Sequence, residues 1–292
     1  MFLNKQKLKF SKYQEEIFKE FSTSNKNILI NAVAGSGKST TLLHLLKLCK
    51  KTDRVQLCAF NKSIAEEFKT KCNGLTNVEI NTIHSIGYRY LSRRGKRVVS
   101  NFDKYYKILQ TELKNKKLNL VYEETNGIIE LVNYLRFYFK ETLSDCEWLC
   151  INFDIRCNSK FFEIALSVLK KGREDLSEID FTDMVYLPVY HKNIVTRDFK
   201  YVFVDECQDL NVIQRMLVEK IVTSNGKMVF VGDEKQAIYG FAGSNINSFK
   251  EIACIPNTVQ LPLSINYRCG KLIINHAKKL VPILETFDTQ IP

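Results

Sequence analysis

The feature that most limits how this chain can fold is a glycine-containing turn between a strand pattern and a helix pattern. It lies between Asn27 and Leu46 and reads NILINAVAGSGKSTTLLHLL. The apolar run before the turn is typical of a buried strand, and the residues after it follow helical spacing. In such a unit, backbone N–H groups and the positive end of the helix surround phosphate oxygens. The stretch therefore predicts a phosphate-binding loop, in preference to a glycine turn without a ligand.

The residues of this loop have separate predicted roles. Gly35 and Gly37 let the backbone approach the phosphates closely. Lys38 reaches the β- and γ-phosphates, and the Ser39 hydroxyl binds Mg²⁺. Ala32 stands where the usual pattern has its first glycine, a difference that a modest backbone adjustment absorbs. The predicted nucleotide-binding residues of the loop are Ala34, Gly35, Ser36, Gly37, Lys38, Ser39 and Thr40.

A second motif, YVFVDECQD, supplies two adjacent carboxylates. Its apolar residues predict a buried strand that delivers Asp205 and Glu206 at its carboxyl end, where ligands bind in parallel sheets. Asp205 is the predicted Mg²⁺ ligand, and Glu206 is the group that polarises the attacking water. A further strand, MVFVGD, leads to Asp233 and Gln236 at the same edge. The Gln236 amide is predicted to sense the γ-phosphate or to orient water there.

The order of strand and helix patterns predicts an α/β fold. Strand runs alternate with helical segments up to residue 100 and again after residue 175, which indicates a parallel sheet covered by helices on both faces. Between them, residues 101–174 are mostly helical in pattern and are interpreted as a helical insertion. The predicted nucleotide-binding domain is therefore discontinuous and comprises residues 1–100 and 175–265.

The charge of the chain favours a polyanionic partner. The formal net charge is +11 and the isoelectric point is about 9.1. From residue 89 to residue 117, bases are interleaved with aromatic residues. This combination suits phosphate neutralisation and base stacking, and it suits a solvated helical face over an aromatic core equally well. The bases are Arg89, Arg93, Arg94, Lys96, Arg97, Lys104, Lys107, Lys114, Lys116 and Lys117, and the aromatic residues in and beside the stretch are Tyr88, Tyr90, Phe102, Tyr105 and Tyr106.

The nine cysteines are an odd number, and no two have the C-x-x-C spacing. Most lie in apolar stretches, which indicates buried thiols in a reducing compartment. Cys146, Cys150 and Cys157 form the closest group, for which burial is favoured over zinc or iron–sulfur ligation. No apolar run is long enough to predict a membrane span, and the first residues lack the apolar core of a secretory signal. The predicted location is cytoplasmic, or nuclear in a eukaryotic host.

Eight motifs, in their order and spacing, resemble the UvrD/Rep helicases of superfamily 1; they read YQEEIF, AVAGSGKST, AFNKSIAEEF, TIHSIGYRYL, DFTDMVYLP, VFVDECQDLNVIQ, VGDEKQAIYGFAG and LPLSINYRCG. The FNKS and TIHS forms look closest to the F-box-helicase branch, and alanine at the start of the phosphate loop is usual in the family. The resemblance covers most of the chain outside the insertion. It implies a RecA-like motor domain that uses ATP and Mg²⁺ on single-stranded or tailed duplex DNA. The same backbone-charge and stacking chemistry also serves RNA.

The resemblance also implies roles for single residues. Gln14 matches a glutamine that reads the adenine edge, and Tyr267 matches an aromatic residue that stacks on the adenine. Arg268 matches an arginine that reaches the γ-phosphate, where a cation stabilises transition-state charge. The implied catalytic residues are Lys38, Glu206, Gln236 and Arg268, and the implied nucleic-acid contacts are Thr82, His84, Tyr239 and Phe241. For the last two aromatic residues, core packing is the alternative.

The sequence departs from the family pattern in three places. Ala242 stands where many relatives have arginine, and Phe60 lies one place later than the aromatic residue of its motif. The chain ends at Pro292, soon after NYRC, whereas relatives continue through a second motor domain. Residues 266–292 are therefore interpreted as the start of a truncated second motor domain. The chain alone is expected to bind nucleotide, to hydrolyse it poorly and not to unwind duplex DNA.

Together these patterns predict the N-terminal motor part of an ATP-dependent DNA helicase, which by resemblance moves 3′ to 5′ along one strand. Two alternatives stay open. One is a DNA-stimulated ATPase that remodels protein–DNA complexes without unwinding. The other is a non-catalytic adaptor that binds DNA and keeps ATP only as a structural ligand. The intact lysine, acidic pair and arginine of the predicted ATP site argue against the adaptor.

Overall fold

The structure is a computed structural model that describes residues 9–93, 99–101, 103–236 and 247–287. The strands within these residues are β1 Asn27–Ala32, β2 Val55–Ala59, β3 Val78–Thr82, β4 Val99–Ser100, β5 Glu178–Ile179, β6 Phe199–Val204, β7 Val222–Gly232, β8 Thr258–Leu263, β9 Ile265–Asn266 and β10 Glu285–Thr286. The α-helices are α1 Lys12–Thr23, α2 Lys38–Leu48, α3 Lys62–Lys71, α4 Ile83–Ser92, α5 Lys104–Asn115, α6 Tyr122–Phe137, α7 Leu143–Phe153, α8 Phe162–Glu174, α9 Asp183–Tyr190, α10 Val212–Ile221, α11 Ser248–Ala253 and α12 Lys271–Ala277. None of these helices is long and apolar enough to cross a membrane.

Six strands form one parallel sheet in the order β3-β2-β6-β7-β1-β8. This confirms the predicted α/β fold with a parallel sheet. The neighbours β6, β7 and β1 lie at its centre, with Val204 of β6 paired to Phe230 and Asn31 of β1 paired to Gly232. Because parallel strands end at a common edge, the loops that follow these three strands must lie side by side.

Helices cover both faces of the sheet because successive strand residues point to opposite sides. Leu29 and Phe230 face a core that is completed by α4, α9 and α10. Their neighbours Ile28, Ile30 and Val229 face a second core, which α1, α2 and α3 complete. The apolar residues of every central strand are therefore buried on both sides, as a continuous apolar run predicts.

The segment from residue 101 to residue 174 is helical where it is described, and α5, α6, α7 and α8 share the first of these cores. The chain enters and leaves this helical segment at neighbouring points, because β4, which precedes it, pairs in parallel with β5, which follows it. The three domain ranges drawn from the sequence stay a prediction, since a shared core does not mark where one unit ends.

The helices α1, α9 and α11 were not predicted from the sequence, and α7 was not singled out within the segment interpreted as helical. One further prediction was too long. Pro188 lies inside α9. Because proline has no N–H group, it cannot donate a hydrogen bond to the Met184 carbonyl. Gly87 of α4 packs against that same carbonyl. A Cβ atom at Gly87 would lie only 1.9 Å from Met184 O. The pattern GKLIINHAKKLVPIL predicts one helix throughout, but α12 ends at Ala277 and turns follow.

A fully buried ionic cluster joins the helical segment to α9. Asp183 accepts hydrogen bonds from Lys104 Nζ at 2.8 Å, Tyr105 Oη at 2.8 Å and Arg136 at 3.1 Å. Arg136 also donates to Asp180 at 2.7 Å. The nucleic-acid interpretation is thus wrong for two members of the basic and aromatic stretch, because Lys104 and Tyr105 are 2% and 3% exposed.

The cysteine group in the same segment shows no sign of a metal site. Cys146 is buried, Cys150 and Cys157 are partly buried, and all three are free thiols. Burial raises the pKa of Cys146 and of Cys157 to about 12. Within the part of the chain that the structure describes, no three His, Cys, Asp or Glu side chains are grouped to hold a metal ion.

Candidate active site

The predicted phosphate loop and the predicted acidic pair meet at the carboxyl edge of the sheet. Lys38 Nζ donates to Glu206 Oε2 at 2.7 Å, although 168 positions separate the two residues in sequence. Tyr267 and Arg268 reach the same place from the segment after β9. The four groups share a cavity of about 340 Å³, whose lining residues are Gly35, Ser36, Gly37, Lys38, Ser39, Thr40, Glu206, Tyr267 and Arg268.

The loop owes its shape to two glycines in the left-handed region. The φ angle is +69° at Gly35 and +84° at Gly37, the N-cap of α2. This conformation is unfavourable for residues with a Cβ atom. The first N–H groups of α2 have no carbonyl partner within the helix, so they are available to phosphate oxygens.

Asp205 has the surroundings expected of a Mg²⁺ ligand. It is buried, and its Oδ1 atom has no hydrogen-bond partner among the described residues. Burial, with a smaller contribution from the Glu206 charge, raises the pKa of Asp205 to about 6. A carboxylate oxygen without a partner costs free energy unless a cation satisfies it. The unpartnered oxygen of Asp205 therefore fits a divalent cation, and Ser39, the other predicted ligand, lines the neighbouring cavity.

Glu206 is held in a strained but well-defined position. Its backbone is left-handed, with φ 51° and ψ 48°, a conformation that costs about 1–3 kcal/mol for a residue other than glycine. Its Oε2 atom accepts hydrogen bonds from Lys38 and, at 3.0 Å, from Gln208 Nε2. Backbone strain of this kind is typical of residues whose side chains are held in a fixed position at a ligand-binding site.

Gln208 is a site residue that the sequence analysis missed. Its amide is 3% exposed, donates to Glu206 and accepts from the Asp233 N–H at 3.1 Å. It thereby connects the ends of β6 and β7. Gly232 makes room for it, because a Cβ atom there would lie 2.4 Å from Gln208 Oε1. Its place two residues after the acidic pair was the available signal.

Gln236 and Gln14 do not line the cavity. Gln236 is exposed and donates to Asp233 Oδ2 at 2.8 Å. Gln14 is 5% exposed and lies behind the loop, where its amide accepts from the Ser11 N–H and donates to Thr41 Oγ1, both at 3.1 Å. The structure thus gives Gln14 a capping role at the start of α1, and its adenine role stays a prediction.

His84 lines a second cavity, of about 400 Å³, beside Asp205 and Glu206. Its ring stacks on Phe181 with the centroids 3.9 Å apart and the planes at 18°. Phe60, which is 44% exposed, lines the same cavity. Burial lowers the pKa of His84 to about 4, so the ring is neutral at pH 7. It can stack or form hydrogen bonds, but it does not neutralise phosphate.

We expect His84 to make the stability of the chain depend on pH. An unfolded histidine has a pKa near 6.5, so below that pH the unfolded chain takes up the proton first. The contribution of neutral His84 is complete above about pH 6.5 and is lost as the pH falls towards 4. The free energy of unfolding should drop by up to about 3 kcal/mol in this window. Urea unfolding at several pH values checks this.

The matched control for this prediction is the exposed histidine of α12. His84→Gln should flatten the fall in stability between pH 6.5 and 4, and His276→Gln should behave as the unsubstituted chain does. An unchanged slope in His84→Gln would contradict the assignment of His84 as a partly buried, neutral ring.

The other predicted nucleic-acid contacts divide into two groups. Thr82 caps α4, since its Oγ1 atom accepts from the Ser85 N–H at 3.3 Å, which gives it a structural role. Tyr239 and Phe241 lie outside the described residues, as does Ala242.

The basic stretch also divides. Arg93 pairs with Asp198 at 3.1 Å, and the Tyr90 hydroxyl donates to the same carboxylate. Arg89 pairs with Glu79. These residues therefore form ion pairs and hydrogen bonds within the protein. The bases on α5 and just after it that remain exposed are Lys107, Lys114, Lys116 and Lys117.

These features define a class of protein. A strand, a left-handed glycine loop and a helix N-terminus face an acidic pair at the carboxyl edge of a parallel sheet, which is the site of a P-loop nucleotide-binding domain. Residues 13–254 match the family described as the UvrD/REP helicase N-terminal domain, and the chain belongs to that family. The resemblance drawn from its motifs is thereby confirmed.

Curated relatives are similar along nearly the whole chain. The ATP-dependent DNA helicase Rep of Buchnera aphidicola subsp. Baizongia pistaciae is 25% identical over 92% of this chain and 43% of its own length. The ATP-dependent DNA helicases PcrA of Staphylococcus epidermidis and Staphylococcus aureus are each 27% identical, over 89% of this chain and 38% of theirs. The chain thus spans about two fifths of the length of these relatives.

Proposed function

We propose that this chain supplies the nucleotide-binding motor part of an ATP-dependent DNA helicase, which couples hydrolysis to movement along single-stranded DNA and to duplex unwinding. The observation that carries the proposal is the 2.7 Å contact between Lys38 Nζ and Glu206 Oε2. It lies in the cavity that Arg268 also lines. A phosphate-binding lysine, a candidate base and a cation for the γ-phosphate are therefore within reach of one triphosphate.

The residues of the cavity divide the work on ATP. The loop from Ala34 to Thr40 binds the phosphates, and Arg268 stabilises the charge that develops on the γ-phosphate. Glu206 accepts a proton from the attacking water. Ser39 and Asp205 would hold Mg²⁺, which would supply positive charge against the phosphate oxygens.

The base of the nucleotide is proposed to stack on Tyr267, whose side chain remains 37% exposed beside the cavity. Gln14 would read the adenine edge only after exchanging its hydrogen bond to Thr41 for one to the base. Gln236 would likewise exchange its bond to Asp233 for one to water or phosphate.

Single-stranded DNA is proposed to cross the second cavity. The ring pair of His84 and Phe181 and the exposed ring of Phe60 offer aromatic faces, and stacking is worth about 1–3 kcal/mol per base. Tyr239 and Phe241 are proposed as further stacking residues, and the exposed lysines of α5 as phosphate contacts. The direction of movement, 3′ to 5′, follows from the family resemblance, and the proposed compartment is the cytoplasm or the nucleus.

The test is ATP hydrolysis with and without single-stranded DNA, measured with protein in excess over ATP so that slow turnover is detected. Stimulation by DNA that disappears in Lys38→Ala and on chelation of Mg²⁺ would support the proposal. ATP affinity that is unchanged in Lys38→Ala would contradict it. In a protein that also carries the second motor domain implied by the resemblance, duplexes with a 3′ or a 5′ tail then report unwinding and direction. Turnover without strand displacement in that protein would favour a remodelling ATPase.

A further inference from the structure

The segment that carries Arg268 is fastened to the phosphate loop by one buried amide. Asn266 is 3% exposed. Its Nδ2 atom donates to the carbonyl oxygen of Ala34 at 2.7 Å. Its Oδ1 atom accepts from the backbone N–H groups of Arg268 and Cys269, both at 2.8 Å. One side chain thus fixes the turn that contains Arg268 and attaches that turn to the loop.

Two further contacts make the fastening rigid. The Tyr267 N–H donates to the Gly35 carbonyl at 2.9 Å. Gly35 also packs directly on Arg268, because a Cβ atom at Gly35 would lie 2.8 Å from Arg268 Cβ and 3.0 Å from Asn266 Nδ2. The carbonyls of Ala34 and Gly35 are thereby engaged by the 266–268 segment, and the stem of Arg268 rests against the loop backbone.

This geometry fixes the backbone and the Cβ atom of Arg268 before any nucleotide binds. A cation whose backbone is already fixed loses less conformational entropy when it contacts a ligand. The part of the nucleotide that Arg268 is proposed to contact is the γ-phosphate, which ATP has and ADP lacks. The fastening should therefore strengthen ATP binding more than ADP binding.

We propose that Asn266 is a positioning residue that holds Arg268 ready at the γ-phosphate subsite, so that this chain by itself discriminates ATP from ADP. The inference rests on the proposed function, because it needs nucleotide in the cavity. It assigns a role that neither the motif resemblance nor the family description gives to this asparagine.

The experiment measures the Kd of ADP and of a non-hydrolysable ATP analogue, both with Mg²⁺, by competition against a fluorescent ADP. The readout is the ratio of the ADP Kd to the analogue Kd. Losing the orientation of a charged hydrogen-bond donor should lower this ratio about tenfold in Asn266→Ala. Arg268→Ala should lower it at least as much. In the double variant, Asn266→Ala should add nothing further to Arg268→Ala, because both act on one contact.

Two more variants extend the test. Asn266→Asp keeps an oxygen to accept from the 268 and 269 N–H groups, but it loses the donor to Ala34 and puts a negative charge beside the phosphate subsite. Its ratio should therefore fall at least as far as that of Asn266→Ala. Asn225→Ala changes an exposed asparagine near the start of β7 and should leave the ratio unchanged.

The outcomes are distinct. A non-additive loss of the ratio supports the inference. If Asn266→Ala and Asn266→Asp weaken both ligands equally, or if Asn266→Ala and Arg268→Ala add, the inference is overturned and the proposed function is untouched. If the unsubstituted chain binds neither nucleotide, the proposed function falls, and this inference falls with it.

Discussion

Glu206→Gln is expected to slow ATP hydrolysis by about 10²- to 10⁴-fold, the usual contribution of a positioned general base. The amide cannot take a proton from water, yet it has nearly the size and shape of the carboxylate. ATP affinity should be kept or should rise, because Lys38 loses the anion that it contacts at 2.7 Å and is left to the phosphates. Single-turnover rates and equilibrium binding, measured on the same preparation, check both halves of this prediction.

The matched control is Glu147→Gln, which changes an exposed glutamate of α7 and should hydrolyse ATP at the original rate. Turnover in Glu206→Gln equal to that of the unsubstituted protein would remove Glu206 from the role of base. Loss of ATP binding together with turnover would point instead to a disrupted loop.

Asp183→Ala is expected to have the largest effect on stability. It removes the anion from a cluster in which the side chains of Lys104, Arg136 and Asp183 are 2%, 0% and 0% exposed. Lys104 would then stay buried without its carboxylate partner, and Arg136 would keep only Asp180. Breaking a buried pair in this way costs about 3–5 kcal/mol. For a chain of this size that corresponds to a melting temperature lower by roughly 10 °C. Calorimetry and urea unfolding measure the change.

The control for this variant is a solvent-exposed ion pair of the same protein. Glu66→Ala breaks an exposed contact of 2.8 Å with Lys69, and it should cost less than about 1 kcal/mol. A loss below about 1 kcal/mol in Asp183→Ala would mean that the cluster is energetically neutral.

Asp183→Ala should also weaken the binding of single-stranded DNA, because Phe181 and Thr182 directly precede Asp183 and line the second cavity.

The nucleotide cavity was the part of the molecule most open to prediction from sequence. Strand, glycine turn and helix are contiguous around Lys38, so local chemistry sets that loop. A buried apolar run places Asp205 and Glu206 at the end of a strand in the same way. The placing of β6 and β7 next to β1 could not be predicted from these patterns, since strand order depends on packing along the whole chain.

Where prediction failed, a distant partner decided the outcome. Lys104 and Tyr105 look like surface residues in a basic stretch, yet both are buried because Asp183, 79 and 78 positions away, accepts their hydrogen bonds. The amide of Gln14 is engaged at the start of α1, and its adenine role stays a prediction. Asn266 carries no signal of its own, and the signal for Gln208 was only its place two residues after the acidic pair, because the importance of both residues arises from the loops that they join.

On the roles proposed for them, the contact between Lys38 and Glu206 means that the empty site keeps its two charged groups paired with each other. Phosphates that draw the ammonium group to themselves would leave Glu206 Oε2 open to the attacking water. Arrival of the nucleotide and release of the base would then be a single event.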